Sequence, residues 1–391
     1  MSLRGFEKLL LAAVAAVIVG CSGSTNTGDE PAVAFPNRRA TFEGAGRRLG
    51  YVPNSNSDTV SVIDLDAMTL LASVPVGRDP VDIDGPRHLV FDAENGLGYV
   101  ALSYPFSNTS AHAIAQGATQ RPGYVQALNL RDLSIAGELR VDPSAADVAF
   151  SPATGSLAVA HADGNLALQM DPEARRANLV FVEPASAIAK GTAEARRQLL
   201  CAVPSSLAYN ADGSRLFVSC TGEDSLVVVD SASETALSQG PPGADSFNKP
   251  YGLVVDPVRE RLLVSNVVSR SVSVFDLNDT PNLLSSLRVP AVPMFSALLS
   301  DSTLVVPFQS PNGATAFDLT SGKELTSIQY SDEECMNPAE FTVTSDSRLF
   351  LVCEGTHYHP GAVVEVDPST LAVIASIPVE LYPERMSILE P

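Results

Sequence analysis

The sequence predicts an all-β fold, a seven-bladed β-propeller of four-stranded blades, and three observations lead to this prediction. First, residues 51–77, YVPNSNSDTVSVIDLDAMTLLASVPVG, contain three short strand-like runs separated by turn-forming residues. Second, variants of this stretch recur along the rest of the chain. Third, residues 381–390, LYPERMSILE, have the form of the inner strand that the first copy lacks. We therefore expect this C-terminal strand to complete the first blade and close the ring.

The first copy shows why repetition is needed. Thr59 to Asp64 alternates β-branched and polar residues with a period of two, as a half-buried strand does. The flanking runs PNSNSD and DLDAMT are rich in residues whose side chains bond their own backbone, which ends the strands. Three strands joined by short turns leave both edges exposed, so we expect further copies to pack beside them.

The later copies follow in chain order, and each begins with an inner strand that usually follows a proline. We predict blade two over residues 86–141, blade three over 147–203, blade four over 205–235, blade five over 251–289, blade six over 294–330 and blade seven over 339–379. A helix-prone detour, Ala185 to Arg197, interrupts blade three. The long loops Tyr104–Pro122 and Ala162–Arg176 are either recognition elements on a rigid scaffold or decoration.

Aspartate recurs at the end of the third strand in five blades. Because a residue that returns before every turn is most simply a turn former, we interpret these carboxylates as backbone-bonding groups and not as a catalytic ring. The residues concerned are Asp64, Asp230, Asp276, Asp318 and Asp367.

The N-terminus has the layout of an export signal. Arg4 and Lys8 precede an apolar run, Leu9 to Gly20, that is too short to span a membrane as a helix. The run ends Ile-Val-Gly-Cys21, which resembles a bacterial lipobox, and the resemblance implies that Cys21 is lipidated after cleavage. The alternative is a simple signal peptide with an incidental cysteine.

These features predict the domain organisation and the location. Residues 1–20 are expected to form a lipoprotein signal peptide, 21–46 the lipidated cysteine with a flexible polar tether, and 47–391 the propeller. The protein is therefore expected to be exported and anchored to a membrane through its lipid. Ser22 after the cysteine, by resemblance to a bacterial sorting rule, favours the outer membrane, and display on its periplasmic or surface side stays open.

The four remaining cysteines form two pairs in nearly the same sequence frame. Cys201 and Cys220 flank one hairpin, and Cys335 and Cys353 flank another, with the first cysteine of each pair expected to begin a strand and the second to end its neighbour. An exported chain with an even number of cysteines after lipidation is a setting for disulfides. The alternative, a four-cysteine metal site, is disfavoured because no C-x-x-C spacing occurs.

The charge balance excludes one class of partner. The chain has 25 Lys and Arg against 45 Asp and Glu, a formal net charge of −20. Since affinity for nucleic acids comes largely from cationic side chains on phosphates, we expect no nucleic-acid partner. We expect a monomeric ring, attached to the membrane through the lipid, that contacts an envelope or surface protein.

The repeat motif resembles that of a known family. Tyr51-Val-Pro-Asn, Thr59-Val-Ser-Val-Ile-Asp64 and Val74-Pro-Val-Gly77 are similar to the YVTN family of seven-bladed β-propellers, and Ser271-Val-Ser-Val-Phe-Asp276 belongs to a second close copy. The resemblance covers residues 47–391. It implies the fold but not one function, because members and related rings include surface-layer proteins, lactonases and dehydrogenase subunits.

The inner strands predict a site at the mouth of the central channel. The second residue after the proline that opens each inner strand, with a shift in blade three, defines a set that we call the channel column: Arg385, His88, Asp147, Ser206, Gly252, Phe295 and Glu340. Five of its members are polar or charged, namely His88, Asp147, Ser206, Glu340 and Arg385, and they form a possible ligand site. Glu354 and the histidines of the blade-seven loop are expected on the same face. A divalent metal ion held by His88, His357 and His359 is one reading, and ordinary polar loop residues are the other.

These observations favour a binding or scaffold module that works through its loop-bearing face. No nucleophile-elbow, P-loop or zinc-protease motif occurs in the sequence, so enzymatic activity stays open. The alternative is an enzyme at the channel mouth, either a lactonase-like hydrolase or a metal-dependent oxidoreductase.

Overall fold

The computed structural model describes residues 42, 44–78, 83–103, 123–162, 171, 176–190, 195–240 and 247–391. The predicted signal peptide, Cys21 and nearly all of the tether lie outside the described residues, as do the loop 104–122 and most of the loop 162–176. Among the described residues, no helix is both long enough and apolar enough to cross a membrane.

The described residues form seven antiparallel sheets, which confirms the predicted seven-bladed propeller of four-stranded blades. In chain order, the strands of the first three blades are β1 (Leu49–Asn54), β2 (Thr59–Asp64), β3 (Thr69–Pro75); β4 (Pro86–Asp92), β5 (Leu97–Leu102), β6 (Gly123–Asn129), β7 (Ile135–Val141); β8 (Ala145–Ser151), β9 (Ser156–His161), β10 (Arg176–Val182) and β11 (Arg196–Ala202). A short helix, α1 (Pro184–Lys190), lies in the predicted detour of blade three.

The remaining four blades follow the same order from the inner to the outer strand. Their strands are β12 (Pro204–Tyr209), β13 (Arg215–Cys220), β14 (Ser225–Asp230), β15 (Thr235–Gly240); β16 (Pro250–Asp256), β17 (Arg261–Asn266), β18 (Ser271–Asp276), β19 (Leu283–Arg288); β20 (Val292–Pro293), β21 (Ala297–Ser300), β22 (Thr303–Gln309), β23 (Gly313–Asp318), β24 (Lys323–Gln329); β25 (Pro338–Val343), β26 (Leu349–Cys353), β27 (Pro360–Val366) and β28 (Val373–Leu381).

The last strand, β29 (Ser387–Leu389), closes the ring. It pairs antiparallel with β1, with Leu389 opposite Leu49 and Ser387 opposite Tyr51. The C-terminus thereby supplies the inner strand of the first blade, as the sequence predicts. Both edges that an open array would expose are paired in this way.

The hydrophobic core lies between the blades. Seven clusters of buried side chains among the described residues fill the seven spaces between neighbouring sheets. In the space that closes the ring, Val52 and Ile63 of blade one pack with Phe350 and Val352 of blade seven. Burying a large apolar side chain stabilises the fold by roughly 1.5–3 kcal/mol, so each blade depends on its neighbours for stability.

The recurring aspartates form turns, as predicted. Asp318 Oδ1 accepts hydrogen bonds from the backbone N–H groups of Thr320 and Ser321, at 2.9 and 2.6 Å. Asp64, Asp230 and Asp367 accept bonds from the N–H group three residues later, and Asp276 accepts one from Asn278, two residues later. Hydrogen bonding to these carboxylates lowers the pKa of Asp318 and Asp230, as expected for groups that end strands.

The two predicted disulfides are confirmed, but the expected position of their first cysteines is wrong. Cys201 and Cys220 are bonded with Cα atoms 6.0 Å apart, and Cys335 and Cys353 with Cα atoms 5.3 Å apart. Cys201 belongs to β11, the outer strand of blade three, whereas the hairpin of blade four begins only at Pro204. The first bond therefore joins the outer strand of blade three to the second strand of blade four, and the second joins the segment before blade seven to the second strand of that blade.

Blade six departs from the expected continuous inner strand. The strand is interrupted between β20 and β21, and Phe295 in the gap bonds to blade seven instead. Its N–H donates to the Ala339 carbonyl at 2.9 Å, and its carbonyl accepts from the Phe341 N–H at 3.0 Å. The backbone at Phe295 is thus shared between two blades at the channel.

Candidate functional site at the channel mouth

A break in strand pairing positions the side chains at the channel mouth. In five blades the register between the first and second strands shifts just after the first residue of the inner strand, for example between Pro86 and Leu89 and between Pro338 and Glu340. The inner strand of blade six is interrupted at the same place, and in blade one pairing stops after Pro383 and resumes at Ser387. Such bulges redirect side chains, and here they direct them into the channel.

The structure brings together four of the predicted site residues. The Arg385 guanidinium donates from Nε to Glu340 Oε1 and from Nη1 to Asp147 Oδ1, both at 2.9 Å. His88 Nδ1 lies 2.5 Å from the same Asp147 oxygen. These residues come from blades one, seven, three and two, so the network joins blades across the channel.

Asp147 is a fixed anion within this network. Its Oδ1 accepts from His88 and Arg385, and its Oδ2 accepts from the Leu207 N–H at 2.8 Å. Burial opposes ionisation, but the charges of Arg385 and His88 and these hydrogen bonds lower the pKa of Asp147 to about 2. Because both oxygens are occupied, Asp147 holds its partners in place and is unsuited to accept a proton.

The other members of the channel column have different environments. Phe295 lies under Arg385, whose guanidinium carbon is 4.3 Å from the ring centroid. Gly252 faces Phe295, and a Cβ there would lie 3.0 Å from the Met294 carbonyl oxygen, so the close approach requires a small residue. Ser206 is buried, and its hydroxyl has no hydrogen-bond partner among the described residues.

A second set of residues lies one position earlier on each inner strand, and we call it the rim column: Glu384, Arg87, Ala146, Ser205, Tyr251, Met294 and Ala339. Arg87 donates from Nε and Nη2 to Glu384 Oε2, at 3.2 and 2.6 Å. The Tyr251 ring lies 5.0 Å from that of Phe295. Burial, followed by the charge of Glu384, raises the pKa of Tyr251 to about 12. The sequence analysis missed these residues, because only the column after them was aligned.

Members of both columns line a cavity of about 180 Å³. Its charged residues are Arg87, Glu384, Arg385 and Asp147, and Tyr251, Ser205 and Thr221 add hydroxyl groups. Glu384 Oε1 accepts no hydrogen bond from the described residues, whereas its Oε2 carries the pair with Arg87. The cavity therefore offers one carboxylate oxygen free to interact with a ligand or water.

Glu354 lies directly after β26 and is buried beside this group. Gln309, the equivalent residue of blade six, donates from Nε2 to Glu354 Oε2 at 3.3 Å. The pKa of Glu354 is raised to about 8, mainly because the carboxyl is buried and secondly because Glu384 is negatively charged. Glu354 is therefore largely a neutral carboxylic acid at neutral pH.

The three histidines of the predicted metal site have separate partners. His88 contacts Asp147, as described above. The exposed His357 stacks on Tyr382 with ring centroids 4.3 Å apart and contacts Asn56, and His359 contacts the Thr356 hydroxyl at 2.9 Å. Among the described residues, the one group of three close ligand atoms is Cys201, Cys220 and Glu223, whose sulfurs form a disulfide.

Fold and site together define a seven-bladed β-propeller with a cavity at its channel mouth that is lined by charged residues. No family model and no curated protein sequence matches the chain. Among solved structures, the chain is similar to the periplasmic gluconolactonase of Pseudomonas aeruginosa, with a TM-score of 0.65, 15% identity and coverage of 88% of this chain and 99% of that one.

Two further solved structures have the same fold. A provisionally assigned 6-phosphogluconolactonase from Bacteroides fragilis aligns with a TM-score of 0.63 at 11% identity, covering 89% of this chain and 99% of that one. A dihydro-heme d1 dehydrogenase in complex with DHE aligns with a TM-score of 0.57 at 15% identity, covering 92% and 79%. At these identities the likeness establishes the propeller fold.

Proposed function

We propose that the protein hydrolyses a sugar lactone in the channel-mouth cavity. The observation that carries this proposal is the carboxylate of Glu384, which lines the cavity with one free oxygen beside two guanidinium groups. The gluconolactonase of Pseudomonas aeruginosa and the Bacteroides fragilis protein, similar to this chain over nearly their whole length, support the choice of a lactone.

The residues have complementary roles in this reaction. Glu384 acts as the general base through Oε1 and takes a proton from a water molecule as its oxygen attacks the lactone carbonyl carbon. Arg87 Nη1 and Arg385 Nη2 form no hydrogen bond with a described residue, so they are the donors available to the oxyanion that develops. Asp147 and Glu340 hold Arg385 in position.

The second half of the reaction breaks the ring. The tetrahedral intermediate collapses, the bond from the carbonyl carbon to the ring oxygen breaks, and the proton held by Glu384 passes to the departing alkoxide. One water is consumed, an open-chain hydroxy acid is formed, and Glu384 returns to its ionised state.

The test is the rate of acid release from glucono-1,5-lactone, corrected for spontaneous hydrolysis. We expect activity in the wild-type protein and a loss of roughly 10²- to 10⁴-fold in kcat for Glu384→Gln, which removes the base. Glu234→Gln is the matched control, because Glu234 also pairs with an arginine, Arg196, but in the turn that precedes the outer strand β15. Equal rates in Glu384→Gln and the wild type would exclude the assigned role.

A binding or scaffold role, predicted from the sequence, is the second candidate. The same cavity supports it, because buried donors and acceptors bind a polar ligand whether or not it reacts. Calorimetric binding of the lactone or its acid without acid release would favour this role over catalysis.

The metal-dependent alternative is tested separately. The dihydro-heme d1 dehydrogenase shares the fold, which is the ground for retaining a redox reading. Stoichiometric metal in the purified protein that is lost in His88→Ala and in the double variant His357→Ala/His359→Ala would support a divalent metal ion at these residues.

The location and partners are part of the proposal. The two disulfides support export, since such bonds persist in oxidising compartments. We propose that the chain is anchored through lipidated Cys21, with the outer membrane as the favoured location. Loss of fatty-acid labelling in Cys21→Ala would support the anchor, and unchanged labelling would exclude it. An envelope protein partner, the absence of a nucleic-acid partner and a monomeric ring stay predictions.

A further inference from the structure

We propose that the cavity selects an uncharged, polyhydroxylated lactone and rejects the phosphorylated counterpart. This inference rests on the proposed lactone hydrolysis and identifies its substrate class. It follows from the way in which charges and hydrogen-bond donors are distributed around the cavity.

Both guanidinium groups at the cavity are already neutralised. Arg87 is paired with Glu384 at 2.6 Å, and Arg385 is paired with both Asp147 and Glu340 at 2.9 Å. All five side chains are largely buried, so their charges are poorly screened. Three carboxylates stand against these two guanidinium groups and the imidazole of His88, so the network has no surplus positive charge to offer an anion.

Glu354, buried beside Glu384, illustrates the cost of placing a further anion here. This buried carboxyl retains its proton to about pH 8, first because it is buried and second because Glu384 is anionic. A phosphate monoester, which carries about −1.5 to −2 charges at neutral pH, would meet the same desolvation and the same repulsion. The charge of −20 on the whole chain further disfavours the approach of an anion.

The remaining donors suit hydroxyl groups. Each guanidinium keeps one nitrogen that is not bonded to a described residue, and Tyr251, whose raised pKa keeps its hydroxyl neutral, lines the same cavity. Neutral donors and paired cations bind the hydroxyls and carbonyl of a sugar ring without requiring a negative ligand. A cavity of about 180 Å³ is of the size of one small ring.

Lys249 is the cation that would contradict this inference. Its Nζ donates to the Thr221 carbonyl oxygen at 2.9 Å, and Thr221 lines the cavity. That carbonyl is neutral, so the charge of Lys249 is not cancelled by it. If the protein accepted a phosphorylated lactone, Lys249 is where we would expect the phosphoryl group to bind.

The test compares kcat/KM of the full-length protein for glucono-1,5-lactone and for its 6-phosphate, with the second substrate generated in situ. We expect the uncharged lactone to be preferred by at least about tenfold, because like-charge contacts are strongly unfavourable at buried sites. Equal or higher kcat/KM for the phosphorylated lactone would overturn this inference but not the proposed lactone hydrolysis. If Lys249→Met then lost the activity on the phosphorylated lactone, the phosphoryl group would be placed at Lys249. Hydrolysis of neither lactone would overturn the proposed function.

A second variant tests the electrostatic reason. Glu340→Gln removes one negative charge, so the preference for the uncharged lactone is expected to fall several-fold, whereas Glu234→Gln is expected to leave it unchanged. The ratio of the two substrates is the measured quantity, because a general loss of activity through Arg385 cancels in it. An unchanged ratio in Glu340→Gln, in protein that retains its unfolding midpoint within a few degrees, would contradict the reasoning.

Discussion

Replacing Arg385 with methionine tests whether the network across the channel stabilises the ring. The substitution keeps an unbranched apolar side chain but removes the guanidinium that lies over the Phe295 ring and between Asp147 and Glu340. These two carboxylates are 2% and 8% exposed, so they would be left buried without their cation. Breaking a buried pair in this way costs about 3–5 kcal/mol.

The pKa of Asp147 gives an independent value for the stability that the network contributes. Its fall from 3.8 to about 2 on folding corresponds to roughly 2 kcal/mol of stability at neutral pH, supplied chiefly by Arg385 and His88 against the opposing effect of burial. Because the folded pKa is depressed, this stability is present above pH 3.8 and is lost as the pH falls towards 2. The cost of Arg385→Met should therefore be largest at neutral pH and smaller in acid.

Urea denaturation at neutral and acidic pH measures this effect. The control is Arg196→Met, which breaks the ion pair of an arginine whose side chain is 43% exposed and should cost no more than about 1 kcal/mol. A free energy of unfolding for Arg385→Met within about 1 kcal/mol of the wild-type value at neutral pH would refute the structural role of the network.

Two further predictions concern residues of blade seven and of the segment that leads into it. Replacing Cys335 and Cys353 with alanine should lower the free energy of unfolding by about 3 kcal/mol, because the disulfide closes a segment with a sequence separation of 18 residues. Reduction of the wild-type protein should also lower the free energy of unfolding. An unchanged urea midpoint would contradict this prediction. The pKa of Glu354, raised from 4.5 to about 8, means that the folded protein holds a proton that the unfolded chain releases, so stability should fall as the pH rises from about 4.5 to about 8. Glu354→Gln should flatten that dependence in a series of urea titrations, and an identical slope in both proteins would show that Glu354 ionises normally.

The sequence predicts the fold well because each repeat contains the strand and turn patterns of one blade. Strand alternation in Thr59–Asp64, turn aspartates such as Asp318 and the closing strand at Ser387–Leu389 are local patterns, and closure follows once the first blade lacks a strand. Blade six is harder to predict, because its inner strand is interrupted where Phe295 bonds to the neighbouring blade. That exchange depends on contacts between blades, which no single repeat contains.

The site is only partly predictable from the sequence. Aligning the inner strands identifies His88, Asp147, Glu340 and Arg385, which the structure brings together. Arg87, Glu384 and Tyr251 escape notice because they precede the aligned position, and regular strand alternation would place them on the opposite face. In five blades a register shift after the first residue of the inner strand interrupts that alternation, and members of both columns line the cavity. Two inner strands carry ionisable residues at adjacent positions, Arg87-His88 and Glu384-Arg385, and this pattern in the sequence could have indicated the rim column.

A crystal structure with the lactam analogue of glucono-1,5-lactone, whose amide resists hydrolysis, tests lactone hydrolysis at the channel mouth most directly. We predict that the sugar ring occupies the cavity, with its carbonyl oxygen within hydrogen-bond distance of the Arg87 or Arg385 guanidinium and with Glu384 Oε1 facing the carbonyl carbon. An analogue bound away from these residues, or a cavity left without it at saturating concentration, would contradict the proposal.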